Sequence, residues 1–383
     1  MKRVAITNSR LNSDWRVLKF EDCIVQLNTG LNPRNNFSLD SGKIKYITAK
    51  NLTKYGMIDF SKCDFVDNEA KKIINRRSDI KVGDVLLSSR APIGHCHLIK
   101  EEPDDYDIGE SIFSIRVKKD IVLPEYLCLY LASDFFVKLA SKHTTGSIIQ
   151  EIRVGDLMGT EVIVPPIGVQ KSIADCLNAI DRKMALNEMV NDNLQQMAYT
   201  KYMHMFYGKK FNGKLDDIIV EQPKSSIQVG EAKEASGTVP FFTSGEAILK
   251  WPEALATGRN CFLNTGGNAD VKFYVGESAY STDTWCISAK NDMADYLYLL
   301  LDSIRLELNL KFFQGTGLKH LQKPLLRDRP IYIPSDIELR EFNIEVKPWL
   351  SMISDNIRES EELISLRDWL LPMLMNGQAS ISD

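Results

Sequence analysis

The 383-residue sequence contains no C-x-x-C pair. Its seven cysteines (Cys23, Cys63, Cys96, Cys128, Cys176, Cys261, Cys286) are scattered, which excludes a zinc finger and a disulfide framework alike. Histidine is scarce, at five residues, and in His95-Cys96-His97 strand alternation would put both histidines on one face with no fourth ligand in view. No uncharged stretch reaches the roughly 18 residues of a membrane span, and the opening MKRVAITNSR has no apolar run behind its basic start. The expected location is therefore the cytoplasm. Neither sign of charge dominates: the formal net charge of −4 argues against non-specific coating of nucleic acid but leaves room for local basic patches.

Catalytic signatures are missing too. An adenine methyltransferase would carry an N/D-P-P-Y/F/W tetrad, whereas the one Pro165-Pro166 pair follows Val164 and precedes Ile167. No G-x-x-x-x-G-K-S/T loop or G-x-G-x-x-G turn is present, Gly315-Thr316-Gly317 being only a fragment of such a pattern. Asp104, Asp105, Asp107 and Glu110 form the one carboxylate group suited to a metal-dependent nuclease, without a matching lysine signature. No metal site and no cofactor bound by this chain are expected.

What is present is the balance of an ordered protein, 44% hydrophobic and 26% charged, at a length that favours two globular units over one core. Basic residues crowd two segments, Lys71, Lys72, Arg76, Arg77, Lys81 and Arg90 in one, and Lys311, Lys319, His320, Lys323, Arg327 and Arg329 in the other. The second half echoes the first. A shift of 169 carries Ile152 onto Leu321, Leu157 onto Leu326, Val162 onto Ile331, Val164 onto Ile333, Pro165 onto Pro334 and Gly208 onto Gly377 without a gap. Upstream, a shift of 170 pairs Tyr126-Leu127 with Tyr296-Leu297. A shift of 195 pairs Asp22 with Asp217 and Tyr46-Ile47-Thr48 with Phe241-Phe242-Thr243. A duplicated unit fixes the architecture.

Each copy opens with short apolar or alternating runs such as KIKYITA, GDVLLSS and SIFSIRV, bounded by turn residues, which predict strands. One amphipathic helix follows in each, PEYLCLYLASDFFVKLAS and MADYLYLLLDSIRLELNL. Then come a glycine-containing loop and a last strand closed by proline, TEVIVPP or RPIYIPS. After each proline a long helix is predicted, with the seam Ile173, Leu177, Ile180, Met184, Asn187, Asn191, Leu194, Ala198 in the first copy. The second seam is Phe342, Val346, Trp349, Ile353, Asn356, Ser360, Leu363, Arg367. Antiparallel pairing about a pseudo-twofold axis would set Asn187 and Asn191 against Asn356 and Ser360 and fix register; these polar residues could instead face solvent. Gly208 and Gly377 are placed to stop the helices. The fold class expected is α+β, with two β-rich domains in pseudo-twofold arrangement joined by two long antiparallel coiled-coil helices. Its parts are residues 1–166, a helix 167–208, residues 209–335, a second helix 336–377 and a tail 378–383.

These residues resemble the type I restriction-modification DNA-specificity subunit family along nearly the whole chain. The resemblance is carried by KYITAKNL, GDVLLSSRAPIG and IIQEIRVGDLMGTEVIVPPIGVQKSIADCLNAID in the first half, and by LKHLQKPLLRDRPIYIP and LRDWLLPMLMNGQ in the second. It implies two target-recognition domains, each reading one half of a bipartite DNA site, with the helices as a spacer. Roughly 37 helical residues at about 1.5 Å each span on the order of 55 Å, or about 16 base pairs. It also implies a non-catalytic chain. Its partners would be double-stranded DNA, modification subunits that bind S-adenosylmethionine, and ATP-driven, Mg-using restriction subunits. A related fused restriction system is the alternative within that class. An independent DNA-modifying enzyme lacks its motifs, and a coiled-coil adaptor would not need the strand-rich domains.

For reading DNA, side chains that can reach base edges or phosphates are sought in loops near strand ends. In the first copy these are Thr48, Lys50, Asn51, Ser88, Ser89, Arg90, Lys142, His143, Thr144, Ser147 and Gln150. In the second they are Thr243, Ser244, Asn264, Thr265, Lys272, Lys311, Gln314, Thr316, Lys319 and His320. Arg90 could grip guanine or a phosphate, or pair with Asp84. NTGGNADVK in the second copy replaces SSRAPIGHC in the first, so the two copies are expected to read different half-sites. Glu338, Glu341, Glu345, Asp355, Glu359, Glu361 and Glu362 make the second long helix too acidic to lie on DNA, which suggests that a partner protein covers part of the helical pair.

Overall fold

A computed structural model of the chain describes residues 14–53, 56–141, 151–379 and 381. The protein is α+β and divides into two compact units, Met1–Lys183 with Glu362–Asp383, and Met184–Glu361. Both long helices, Ile167–Phe206 and Asp336–Met375, contribute a segment to each unit. The units therefore cut across the sequence-predicted boundaries, which assign each helix whole.

The two units share one topology. In the first, a four-stranded antiparallel sheet runs Ile24–Thr29, Ile112–Val117, Val85–Ser88, Cys96–Leu98. A three-stranded sheet has Ile44–Ile47 at its centre, antiparallel to Asp64–Val66 and parallel to Tyr106–Ile108. In the second, the order is Ile219–Glu221, Thr284–Ala289, Arg259–Asn264, Val271–Val275. The smaller sheet centres on Val239–Phe242, antiparallel to Ile248–Trp251 and parallel to Ala279–Tyr280. The 195-residue shift carries the first central strand, Ile44–Ile47, onto the second, Val239–Phe242. A two-stranded pair closes each unit, Arg16–Lys19 against Glu161–Val164 and Gly213–Lys214 against Pro330–Ile331.

The predicted strands KIKYITA, GDVLLSS and SIFSIRV are all present. The helix expected after them is broken in both copies. In the first it divides into Pro124–Ala132 and Asp134–Ser141, because the Ser133 hydroxyl donates to the Tyr130 carbonyl at 2.6 Å and accepts from the Phe136 amide at 3.3 Å. That hydroxyl ends one helix and starts the next. In the second copy Ala294–Ser303 gives way to a short turn, Arg305–Glu307, and a wide one, Leu308–Phe312. Tyr126 and Tyr296, equivalent and buried, anchor these helices by donating to the carbonyls of Ile163, in the last strand of the first unit, and of Tyr332, directly after the last strand of the second.

The long helices stop at Gly208 and Gly377, both at positive φ (78° and 71°). After the second, the Gln378 amide reaches back to the Met373 carbonyl at 2.9 Å and the Gly377 amide to the Leu374 carbonyl at 3.4 Å, the bond pattern of a Schellman cap. Asp336–Met375 starts at a capping box. Glu338 accepts from Lys209 and from the Ser335 amide at 2.9 Å, which in that order hold its carboxyl down at about 2. Within the second unit the helices run antiparallel, with Lys201 on Glu345 at 2.7 Å and Asn187 on Ser360 at 3.2 Å. Within the first, Asp181 meets Arg367 at 2.7 Å.

Arg259 ties the second helix to its sheet. Its guanidinium binds the fully buried Asp295 (2.7 Å), the Ser351 hydroxyl (2.9 Å) and the Lys347 carbonyl. Removing one partner of such a buried pair strands the other charge. Arg259→Ala is expected to destabilise the second unit by about 3–5 kcal/mol, read as a lower midpoint for that unit in chemical denaturation followed by hydrogen exchange. Asp107, buried between strand and helix, accepts from the Ser78 hydroxyl (2.7 Å) and the Ile108 amide (2.8 Å), yet burial pushes its carboxyl up to about 6. Its ionised form is penalised in the fold, so this cost is absent below about pH 4 and complete above about pH 6. Asp107→Asn is expected to flatten the loss of stability of the first unit between those values, and an unchanged slope would rule the group out as its source.

Candidate nucleic-acid interface

In the second unit three sequence-distant segments are stitched into one surface. The turn 264–270 follows the strand Arg259–Asn264, and a hairpin joins Phe313–Gln314 to His320–Leu321. The Gly267 amide donates to the Lys319 carbonyl (2.9 Å), and the Leu321 amide to the Thr265 carbonyl (3.0 Å). Asn309 accepts from the Ala269 amide at 3.2 Å, adding the wide turn before the hairpin. Lys272 donates to the Thr243 carbonyl (3.1 Å) and to the Gly245 carbonyl, which brings in the turn after Val239–Phe242. The structure thus brings Thr243, Ser244, Asn264, Thr265, Lys272, Lys311, Gln314, Thr316, Lys319 and His320 onto connected loops.

Their roles differ. Asn264 is buried and organises its turn, donating to the Gly266 and Asn268 carbonyls (2.7 and 2.5 Å) and accepting from the Asp270 amide (2.8 Å). Thr243 is buried as well, its hydroxyl donating to the Ala247 carbonyl at 2.7 Å. Thr265 donates to the Asp283 carbonyl, and Lys272 also lies 3.6 Å from Asp270. Gln314, Thr316 and His320 are exposed. Lys311 pairs with Glu307 (3.2 Å). Of the second basic segment, Lys323 and Arg327 hold Glu221, and Arg329 holds Glu307; Lys319 and His320 stand outside these ion pairs.

The first unit places its loops equivalently. The Ile152 amide donates to the Ser89 carbonyl (2.7 Å), and Arg90 forms an isolated bridge to Glu151, the counterparts of the contacts between the turn and hairpin in the second unit. Ser111 joins the other loop, accepting from the Ser89 amide on its carbonyl (2.9 Å) and from the Ala49 amide on its hydroxyl (3.0 Å). Asn51, Ser88 and Ser89 are buried. Asn51 accepts from the Thr48 amide (2.9 Å) and donates to the Asp59 carbonyl; Ser88 donates to the Pro92 carbonyl. Lys50 is exposed, 3.6 Å from Asp64. Lys142, His143, Thr144, Ser147 and Gln150 lie outside the described residues.

Arg90 does not pair with Asp84, which is buried and bound by Arg116 at 2.8 Å. It sits between Glu110 and Glu151, each at 3.1 Å. Hydrogen bonding from Asn32 (2.6 Å), then from Arg90, holds the Glu110 carboxyl below its usual range. These carboxylates were not among the sequence-predicted contacts, although the 169-residue shift sets Glu151 opposite His320. The residues weighed for a nuclease are not gathered: Asp105 pairs with Lys45, Asp107 is buried on Ser78, and Glu110 faces Arg90. His95 and His97 bond the Leu52 and Gly56 carbonyls through Nδ1. Among the described residues no group of acidic, histidine or cysteine side chains could hold a metal ion, and no helix is long and apolar enough to cross a membrane.

On the helix pair, Asn187 donates to Glu359 (2.8 Å) and Ser360 (3.2 Å), and Asn356 donates to Asn191 (2.7 Å). Several acids of the second helix are answered within the unit. Glu338 meets Lys209, Glu345 meets Lys201, and Asp355 meets Arg358.

Residues 12–196 match the family described as the type I restriction modification DNA specificity domain. The chain is 23% identical, over 98% of its length and 95% of the relative's, to the specificity subunit of the type I restriction enzyme MjaIX of Methanocaldococcus jannaschii. It is 25% identical over 51% of its length to that of HindI of Haemophilus influenzae, covering 41% of that protein. In fold it is similar to the S subunit of a type I restriction-modification system from M. genitalium, with a TM-score of 0.63 at 14% identity over 98% of both chains.

The turn at Asn264 makes a local test possible. Asn264→Ala removes three hydrogen bonds inside one turn at a typical cost of about 1–3 kcal/mol. Amide exchange is expected to accelerate across 265–270 and the facing strand His320–Leu321 while the sheet stays protected; uniform acceleration over the unit would contradict a local role.

Proposed function

We propose that the chain, whose residues 12–196 match the type I restriction modification DNA specificity domain and which aligns along 98% of its length with a type I specificity subunit, is the non-catalytic DNA reader of a type I restriction-modification complex. Each unit reads one half of a bipartite site, and the long helices hold the two readings at a set spacing. Methylation or cleavage is then carried out by modification and restriction subunits that supply S-adenosylmethionine, ATP and Mg. The observation that carries this reading is the recurrence, on one topology, of a loop surface joining a turn after the same strand to a segment before the last strand. The scaffold repeats while the loop residues do not: Arg90 with Glu110 and Glu151 in one unit, Thr265, Lys319 and His320 in the other. Duplicated support under divergent loops is what reading two different half-sites requires, since phosphate contacts position and loop side chains specify.

The carboxylates weighed for a metal-dependent nuclease have other roles, Asp105 pairing with Lys45 and Asp107 buried on Ser78. The setting the proposed reading implies is cytoplasmic, with double-stranded DNA and partner subunits as its contacts. The acids of the second helix that meet lysines of the same unit offer a partner less charge than their count suggests.

The test is to express the chain with its modification subunit and map adenine methylation across a genome. A two-part motif with a fixed unread gap is expected, and replacing residues 314–320 should alter one half of it alone. A continuous motif would overturn the two-reader proposal, and Lys319→Ala should weaken binding while lowering the slope of log affinity on log salt by about one.

A further inference from the structure

The repeat creates a problem of its own. Two helices related by a 169-residue shift carry similar seams, so a first-repeat helix has two candidate partners: the second-repeat helix of its own chain, or the first-repeat helix of another copy. The polar centre of the pair does not discriminate. Asn187 and Asn191 correspond to Asn356 and Ser360 under the shift, and short polar groups would also meet short polar groups in a like-with-like pair.

The positions flanking that centre do discriminate. In the first unit Asp181 contacts Arg367 at 2.7 Å, with the arginine side chain only 4% exposed. The shift carries Asp181 onto Leu350 and Ala198 onto Arg367. Leu350 and Ala198 are both buried in one core cluster of the second unit, and the register set there by Asn187 on Ser360 and Lys201 on Glu345 puts them level with each other. The native arrangement therefore has one charged couple and one apolar couple at equivalent places. Two first-repeat helices in the same register would set each Asp181 against Ala198, and two second-repeat helices would set each Arg367 against Leu350. Either would replace the opposite charge across the helix pair by an apolar side chain at two places, leaving Arg367 beside Asp368 of its own helix at 4.0 Å, and removing one partner of a largely buried pair is costly.

Side-chain size points the same way. In the second unit Tyr202 and Phe206 pack on Tyr296 (5.7 and 5.1 Å between ring centres), and Phe206 packs on Phe342 (5.2 Å). Their counterparts in the first unit are Leu371 and Met375, and Phe342 corresponds to Ile173. The aromatic pair would have to enter a place built for smaller side chains, and overpacking is destabilising.

We infer that Asp181 and Arg367 form a pairing code that admits one first-repeat helix with one second-repeat helix and excludes association of like halves from two copies of the chain. Burial pushes the Asp181 carboxyl up even beside Arg367, so the pair is a costly feature of the fold, as specificity devices are. The inference stands on packing alone and would survive failure of the DNA-reading proposal.

The test supplies the whole chain as two co-expressed pieces, split between Lys210 and the exposed Phe211, and reads the complexes by native mass spectrometry. The wild-type pieces are expected to give the mixed pair alone. Asp181→Leu with Arg367→Ala makes all four places leucine or alanine. Like-with-like dimers should then rise toward the statistical mixture, in which about half of the dimers are like pairs. Asp181→Arg in the first piece should lose the mixed pair with the wild-type second piece and regain it with an Arg367→Asp second piece, a comparison that does not need the apolar variant to fold. Like pairs from the wild type, an apolar variant that stays strictly mixed, no rescue by the reversed charges, or pieces that never associate would each overturn the inference.

Discussion

Neither repeat closes its own core. The hydrophobic cluster of the second unit takes Ala198, Tyr202 and Phe206 from the helix that leaves the first repeat, and Leu339, Phe342, Val346 and Leu350 from the helix that follows the second. The first unit buries Ile173, Ala174 and Leu177 of its own helix together with Leu371, Leu374 and Met375 from the far end of the other. The antiparallel helix pair is thus a condition for either unit to be folded. A β-rich domain with one face of its sheet and one helix uncovered would expose a long apolar stripe.

That dependence explains how loops can diverge on a repeated frame. The turn 264–270 and the loop around Arg90 occupy the same topological place, each held by backbone hydrogen bonds to the segment before the last strand. The bonds that shape the surface come from backbone groups and from buried side chains, Asn264 and Thr243 in one unit and Asn51, Ser88 and Ser89 in the other. The side chains of Thr316 and His320 stand exposed on that backbone frame and can vary without disturbing it.

Strands, their order along the chain and both long helices were legible because apolar alternation, proline and glycine mark them directly, and because the shift of 169 doubled every signal. The broken helix at Ser133 was not, since a serine within an amphipathic run reads as a polar face until its hydroxyl is seen capping the next helix. The division of each long helix between two units was equally hidden, because a seam shows that a face is buried and not which domain buries it. In the loops, residue type alone does not separate side chains that build a turn from side chains left exposed. Asparagine and serine suit both base edges and turn carbonyls, and only burial separates Asn264 from His320. Arg90 was legible as a cation; its two carboxylates, supplied by residues 110 and 151, were not, because an ion pair between distant segments leaves no periodic trace.

The self-pairing of charge decides what kind of DNA contact remains. Most basic residues of both crowded segments are answered inside their own unit: Lys72 by Glu69, Lys81 by Asp79, Lys323 and Arg327 by Glu221, Arg329 by Glu307. With a net charge of −4, such a surface gains little from counterion release at large. The proposed reading would place attraction at cations that no acid answers among the described residues, such as Lys319, or at cations held by acids that a phosphate could replace, such as Arg90 between Glu110 and Glu151. On the proposed reading, a phosphate approaching Arg90 would have to compete with those carboxylates, and the exchange would be favourable only where the rest of the loop also met its base edges. On the proposed reading, weak general attraction would favour discrimination between sites over retention on unmatched sequence.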